Sequence, residues 1–282
     1  MSRLAGDRLG SPISRAFNRA LQPVGQPDTA HSFRAIEDLR RRLNSSEDSF
    51  VMTDFGAGQH GEFSGSESQD GQAVERRVGE LSRESSVDPF WARVLFFLIC
   101  ELQPHRCLEL GGLFGISTAY QCAALRVVAE NSASDLKNRV LETLEGDHTL
   151  SEMIRGNLGS LSLGEYSRVI TGSFVSTLPE VLKTGEAVDF AFVDGHHDGD
   201  ATVRYFDLIR PRLSPGATVV FDDIAWSESM RAGWAVISAH PVVAVSVAAN
   251  QFGIVRISDT PEQIGEPPTP ESGKRSYRLW LV

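Results

Sequence analysis

The stretch Cys107-Leu-Glu-Leu-Gly-Gly-Leu-Phe-Gly-Ile-Ser-Thr118 decides the fold of this chain. The apolar residues up to Leu110 predict a buried strand, and the glycines after it predict a tight turn into a helix that starts near Ser117. Glycine lets the backbone approach a ligand, and a helix start offers free N–H donors to an anionic group. We therefore expect a small-molecule site here, although such turns also serve purely structural roles in α/β proteins. Leu113 breaks the G-x-G-x-x-G pattern, which argues against NAD or FAD.

The composition indicates a folded globular protein. The 282 residues are 41% hydrophobic and 23% charged, enough for one large α/β domain with an extension or for two small domains. A net charge of −10 argues against a nucleic-acid partner. The three cysteines form no C-x-x-C pair and are expected to be buried thiols. With no long apolar span and no apolar signal segment, we expect a cytoplasmic protein without a membrane partner.

Residues 1–85 have the features of an accessory region. Helical spacing covers 14–21, 31–43 and 73–81. Residues 50–58 have a strand-then-glycine pattern, but the polar stretch 59–72 that follows predicts no helix behind it. We expect 56–72 to form a mobile loop, with the alternative that it folds over the active site.

Residues 86–257 predict a doubly wound α/β domain, because strands alternate regularly with helices. The strands are expected at 106–110, 139–145, 167–171, 188–194, 217–222, 242–249 and 252–257, and the helices between them at 117–130, 149–158, 175–183, 199–210 and 228–240. Asn250-Gln251 is too short for a parallel crossover, so the last two of the seven strands should form an antiparallel hairpin. Residues 258–282 combine a Pro-rich linker with an apolar tail that docks on a sheet edge or a partner chain, and this leaves a homodimer open.

Acidic residues close most of the predicted parallel strands. In a doubly wound sheet, ligands bind beyond the carboxyl ends of the strands. Four of the five strand ends are acidic, and because acids are disfavoured in strands this indicates a site rather than packing. The strand-end residues are Glu109 to Gly111, Glu145 to Asp147, Gly172 and Ser173, Asp194 to His197, and Asp222 and Asp223.

These motifs resemble the class I S-adenosylmethionine (SAM)-dependent methyltransferases over roughly residues 86–257. The resemblance implies a Rossmann-like fold and SAM as cofactor, with Glu145 accepting hydrogen bonds from the ribose hydroxyls. It places Gly111 and its turn against the methionine part of SAM, and Ser117 near the methionine carboxylate. Gly172 and Ser173 would lie beside the adenine. The other implied cofactor residues are Glu109, Gly112, Gly115 and Asp194.

A narrower resemblance is to the cation-dependent O-methyltransferases of the catechol and caffeoyl-CoA type. Ser86 and Val87 stand where that group has a pair that helps cover the cofactor. Asp194, Asp222 and Asp223 stand where it holds a divalent cation such as Mg²⁺, whose preference is for oxygen ligands. His197 stands in place of the basic lysine and is the expected catalytic base, together with Asp194.

Asp194-Gly-His-His197 also resembles a broader group of methyltransferases with Asp-Gly-x-His, many without a known metal, so the cation stays open. His196 and Trp226 are expected to line the substrate pocket. We therefore expect a methyltransferase that acts on an oxygen of a small-molecule acceptor. Two alternatives remain at this point: metal-independent N- or carboxyl methylation, and a non-catalytic cofactor-binding module.

Overall fold

The N-terminal part of the chain combines helices with a small β-ribbon. A computed structural model describes residues 1–22, 27–55, 71–131, 139–259 and 274–279. The first elements are α1 (Ser2–Ala5), α2 (Ser11–Leu21), α3 (Pro27–Asn44), β1 (Ser49–Asp54), β2 (Gln72–Arg77) and α4 (Val78–Ser85). Strands β1 and β2 pair with each other antiparallel, apart from the main sheet. The predicted loop 56–72 falls almost wholly outside the described residues.

The α/β domain follows the predicted alternation closely. Its helices are α5 (Pro89–Leu102), α6 (Ile116–Glu130), α7 (His148–Ser160), α8 (Phe174–Lys183), α9 (Gly199–Ile209) and α10 (Glu228–Ala239). Its strands are β3 (Arg106–Leu110), β4 (Val140–Glu145), β5 (Ser167–Thr171), β6 (Val188–Val193), β7 (Leu213–Phe221), β8 (Val243–Ala249), β9 (Phe252–Ile257) and β10 (Arg275–Leu279). Most predicted boundaries are met within one or two residues, and β7 starts four residues earlier.

The main sheet has the strand order β10-β8-β9-β7-β6-β3-β4-β5. Strand β9 is antiparallel to both β7 and β8, and the other pairs are parallel. The predicted Rossmann-like sheet and its hairpin are therefore confirmed. From β3 the chain builds outward to β4 and β5, then returns to β6 and β7 on the other side. The switch point, where doubly wound folds bind ligands, lies between β3 and β6.

Two sequence predictions about the sheets were wrong. The main sheet has eight strands within the described residues, not seven, because β10 adds in parallel to β8. The tail thus docks on the sheet edge, one of the two predicted options. The predicted helix 73–81 starts only at Val78, because residues 72–77 pair with β1 as strand β2. Val74 is half-buried on that strand, while Val78 and Leu81 supply the buried helical face.

The N-terminal helices share the core of the α/β domain. Phe17 of α2 makes an edge contact with Trp91 of α5, and Phe33 of α3 does the same with Phe96. Arg15 and Arg19 bind Glu101 on the same side. Helices α2 and α3 of the accessory region are therefore packed onto α5 of the α/β domain. In the ranges described, no helix combines the length and apolar character needed to cross a lipid bilayer.

Candidate active site

The turn after β3 is shaped by a close approach to the end of β6. Gly111 has φ +93°, and a Cβ atom there would overlap the carbonyl oxygen of Asp194. Gly112 and Gly115 face α7 instead, where a Cβ on Gly112 would lie 2.6 Å from Ile154. Packing alone thus explains these three glycines, and their predicted contacts with a cofactor stay predictions.

A side chain at position 111 is expected to disrupt both the turn and the β6 end. Gly111→Ala combines a backbone clash with an unfavourable φ, so we expect it to lower the free energy of unfolding by about 3 kcal/mol or more. Gly156→Ala is the matched control, because an added Cβ on that exposed helical glycine would meet nothing within 4 Å. It should raise stability by roughly 0.5–1 kcal/mol. Thermal unfolding of both variants checks this, and equal melting temperatures would contradict it.

Glu109 is wholly buried behind the turn. Its carboxylate accepts hydrogen bonds from Thr118 Oγ1 and Gln121 Nε2, both at 2.6 Å, and from Thr143 Oγ1 at 2.9 Å. Burial raises its pKa, and these hydrogen bonds oppose that shift. Glu109 therefore ties the start of α6 to β3 and β4. Its predicted contact with the cofactor stays a prediction.

Glu145 holds the turn from the neighbouring strand. Its Oε2 accepts the backbone N–H of Leu113 at 2.9 Å, and its Oε1 accepts that of Asp147 at 3.0 Å. Leu113 has φ +49°, a strained value for a branched residue. Burial raises the pKa of Glu145 to about 7. The backbone N–H of Gly112 also hydrogen-bonds to this carboxylate. A carboxylate accepts about four hydrogen bonds, so Glu145 can still accept one more, as from a ribose hydroxyl.

Three carboxylates and a histidine meet where β6 and β7 end. Asp194 hydrogen-bonds to Asp222, and Asp222 also bonds to the Gln251 side chain. Burial and the neighbouring carboxylates raise the pKa of Asp194 well above its usual value, and burial raises that of Asp222 to about 7. His197 Nδ1 lies 3.3 Å from Asp223 Oδ2, and its Nε2 lies 3.9 Å from Asp194 Oδ1. The predicted base thus lies among the predicted metal ligands.

His197 is suited to accept a proton near neutral pH. Burial lowers its pKa below the usual 6.5, and the charge of Asp223 opposes that shift. The Asp223 carboxylate, whose own pKa is raised by burial, lies beside Nδ1 of the ring. The side chain of His197 is still one-third exposed, so an acceptor can reach it.

His196 uses both ring nitrogens within the protein. Its Nδ1 lies 2.6 Å from Tyr205 Oη, and its Nε2 lies 3.1 Å from the carbonyl oxygen of Phe55. A carbonyl only accepts, so in a neutral ring Nε2 donates to Phe55 and Nδ1 accepts from Tyr205. Phe174 packs edge-on against both His196 and Tyr205. His196 is thus held in place, which favours His197 as the base.

Backbone strain is concentrated at this edge of the sheet. Leu113, His196, His197 and Asp223 all have φ between +40° and +64°. Residues other than glycine rarely adopt that region, and those kept there tend to mark functional sites. The strain therefore agrees with the position of the acids.

The remaining predicted site residues differ in how deeply they are buried. Gly172 donates its N–H to the Glu145 carbonyl, and Ser173 follows as the residue before α8. Ser117 hydrogen-bonds to Glu109 at the start of α6. Val87 is buried and its carbonyl accepts from Arg40, while Ser86 ends α4. Trp226 is 69% exposed, beside the acid cluster. Their cofactor and substrate contacts stay predictions.

The donor set fits a hard divalent cation by its chemistry. Asp194, Asp222 and Asp223 supply oxygens and carry the raised pKa values of carboxylates whose charges lack a counter-ion. In the present arrangement Asp194 and Asp222 hydrogen-bond to each other instead. Across the described ranges, no group of three or more His, Cys, Asp or Glu side chains has a geometry able to hold a metal ion.

Sequence reasoning missed Gln251, Tyr205 and Phe55. Gln251 lies in the β8–β9 turn, and since β9 runs antiparallel beside β7, that turn falls at the carboxyl end of β7. The hairpin prediction was the signal that could have located it. Tyr205 is one turn inside α9, and Phe55 comes from the accessory ribbon. Neither carried a local motif.

The fold and the site together define a doubly wound α/β protein with a glycine turn after β3, a buried acid at the end of β4, and a histidine among the carboxylates where β6 and β7 end. Residues 108–224 match a family described as a methyltransferase domain. The catechol O-methyltransferase of Niastella koreensis is 29% identical over 140 residues, which cover 49% of this chain. The chain spans only 58% of the length of that relative.

Solved structures show the same fold. An O-methyltransferase from Bacillus cereus, in complex with S-adenosylhomocysteine (SAH), has a TM-score of 0.51 at 20% identity, covering 62% of this chain and 83% of that one. TomG from Streptomyces achromogenes, in complex with SAM, has a TM-score of 0.52 at 17% identity, covering 62% and 82%. Cofactor-bound Rv0187 from MTB has a TM-score of 0.54 at 18% identity, covering 88% and 98%. The predicted fold is thus confirmed by the solved structures. The predicted resemblance to methyltransferases, and to a catechol O-methyltransferase among them, is confirmed by the family match and by the relative from Niastella koreensis.

Proposed function

We propose that this protein is a SAM-dependent O-methyltransferase that acts on a hydroxyl group of a small molecule. The observation that carries the proposal is the meeting of three features at one sheet edge: the glycine turn, Glu145 with free acceptor capacity, and His197 beside Asp223. The family match and the O-methyltransferase relatives support the reaction type.

The transfer would be an in-line displacement at the methyl carbon of SAM. The acceptor oxygen forms the new C–O bond, the C–S bond breaks, and its electron pair stays on sulfur, giving SAH. His197 takes the hydroxyl proton. Most of the rate would come from holding oxygen, carbon and sulfur in line and from excluding water around the sulfonium. The buried turn and the strand ends supply that enclosure.

We also propose that a divalent cation assists the transfer. Asp194, Asp222 and Asp223 would hold it after their side chains turn toward the cation and the hydrogen bond between Asp194 and Asp222 is broken. A bound cation would lower the pKa of the acceptor hydroxyl. Without one, His197 and Asp223 still provide a base and its orienting group.

The reaction type is tested by SAH formation from SAM with matched acceptors. A panel of small aromatic and aliphatic alcohols is compared with amines and carboxylic acids of the same skeletons. We expect turnover with alcohols, and loss of turnover with a chelator followed by recovery with Mg²⁺ would support the cation. Turnover of amines or acids alone would favour the other methylation types. SAH binding without turnover of any acceptor would favour a binding module.

A further inference from the structure

The β1–β2 ribbon is fixed beside the predicted ribose acid. Phe50 makes an edge contact with Phe114 of the glycine turn, and Met52 packs against the same small core. The N–H of Thr53 donates to Asp147 Oδ2 at 2.7 Å. The other oxygen of Asp147 caps α7 through Leu150. Strand β1 therefore ends at a defined place, next to Glu145.

Phe55, just past β1, bridges two strand ends. Its ring lies against Gly146, where an added Cβ would come within 2.7 Å of the ring. Its carbonyl oxygen lies 3.1 Å from His196 Nε2. Gly146 follows β4 and His196 follows β6, with β3 between them in the sheet. Neighbouring strands are about 4.8 Å apart, so β4 and β6 are separated by roughly 10 Å. Phe55 and its two contacts bridge this distance across the end of β3.

The surroundings of Phe55 keep this crossing in place. Position 146 has no side chain, which leaves room for the ring. His196 is itself held by Tyr205 Oη at 2.6 Å and by the Phe174 ring. The aromatic ring is thereby held against Gly146, one residue beyond Glu145. Nucleic-acid bases stack on aromatic side chains.

We propose that Phe55 is a cofactor-contacting residue that covers the adenosyl half of the bound cofactor. The inference rests on the proposed function, because it assumes that the glycine turn and Glu145 hold a nucleoside. It goes beyond that function by assigning a contact to the accessory ribbon. The ribbon then explains how part of residues 1–85 serves the site.

Binding of SAH to full-length wild type, Phe55→Ala, Phe55→Trp and Val51→Ala tests this assignment by calorimetry. Val51 is the matched control, since it lies on β1 but is 59% exposed. Loss of one base–aromatic contact should raise the Kd of Phe55→Ala about tenfold, mainly through faster dissociation. Phe55→Trp should keep affinity and show a larger change in tryptophan fluorescence on SAH addition than wild type does. The same tenfold loss is expected with 5′-methylthioadenosine, which keeps only the adenosyl half.

Each outcome separates this inference from the proposed function. If wild type binds SAH and Phe55→Ala binds it equally well, the ring makes no contact and the inference fails alone. Tighter binding by Phe55→Ala would mean that the ring occupies space the cofactor needs, which also overturns it. If wild type binds no SAH, both the proposed function and this inference fall. Thermal unfolding of the variants without ligand confirms that they are folded.

Discussion

His197→Ala is expected to lower kcat for methyl transfer by about 10² to 10⁴-fold, the usual contribution of a positioned general base. His197 has its Nδ1 3.3 Å from Asp223 Oδ2, and its side chain is one-third exposed. Its lowered pKa keeps the ring neutral near pH 7, ready to accept a proton. Single-turnover rates with saturating SAM and acceptor measure the effect.

The same experiment needs controls that separate chemistry from folding and binding. His105→Ala changes a histidine whose side chain is 65% exposed and which lies just before β3, at the amino ends of the strands. It should leave the rate unchanged. The Kd for SAH should stay within about twofold in His197→Ala, because the assigned role begins after cofactor binding. Full activity of His197→Ala with the true acceptor would remove the base assignment.

The parallel core of the fold was predictable because its signals are local. Strands buried on both faces have short apolar runs, and the helices between them have a 3.6-residue period. The run ending at Leu110 and the glycines after it therefore located β3 and its turn. The acids at strand ends then pointed to one edge, because parallel strands bring their carboxyl ends together.

What the sequence did not reveal depends on long-range pairing. Residues 72–77 have apolar spacing that fits a helix, and only pairing with β1 makes them a strand. Strand β10 joins the sheet through β8 and is held by Arg275 and Tyr277, which bind Asp7. Partners far apart in the chain leave no local pattern, so the strand count was one too low.

The site shows the same division. Strand-end position correctly predicted that five side chains lie at the carboxyl edge of the sheet. They are Glu145, Asp194, His197, Asp222 and Asp223. Glu109 ends in the same kind of pattern, yet its side chain points into a polar network of three neighbours. The direction of a side chain near the end of a strand depends on which helix packs beside that strand. The sequence pattern does not specify this packing. Phe55 was missed because its role depends on where a separate ribbon ends.

Glu145→Gln is expected to raise the Kd for SAH by about 100-fold at pH 8. The wild-type carboxylate only accepts, whereas the glutamine amide places a donor where backbone N–H groups and a ribose hydroxyl must donate. Hydrogen bonds to a charged group contribute roughly 1.5–3 kcal/mol each, so about 3 kcal/mol is at stake. Glu152→Gln, an exposed change on α7, should bind normally. Calorimetric titration checks both, and an unchanged Kd in Glu145→Gln would move the ribose elsewhere.

The raised pKa of Glu145 adds a pH dependence with a definite sign. In the free protein this carboxyl titrates at about 7, above its usual 4.5, because burial disfavours the charge. A donating ribose hydroxyl favours the charged form, so binding below pH 7 must release a proton. We expect the affinity of wild type for SAH to be constant above pH 7 and to fall up to tenfold per unit below it, until the pKa in the complex is reached. Glu145→Gln has no such proton to lose. The Kd of wild type for SAH could be independent of pH, or Glu145→Gln could show the same change of Kd with pH. Either result would show that Glu145 does not contact the ribose, and the ribose assignment would then fail even if SAH binds.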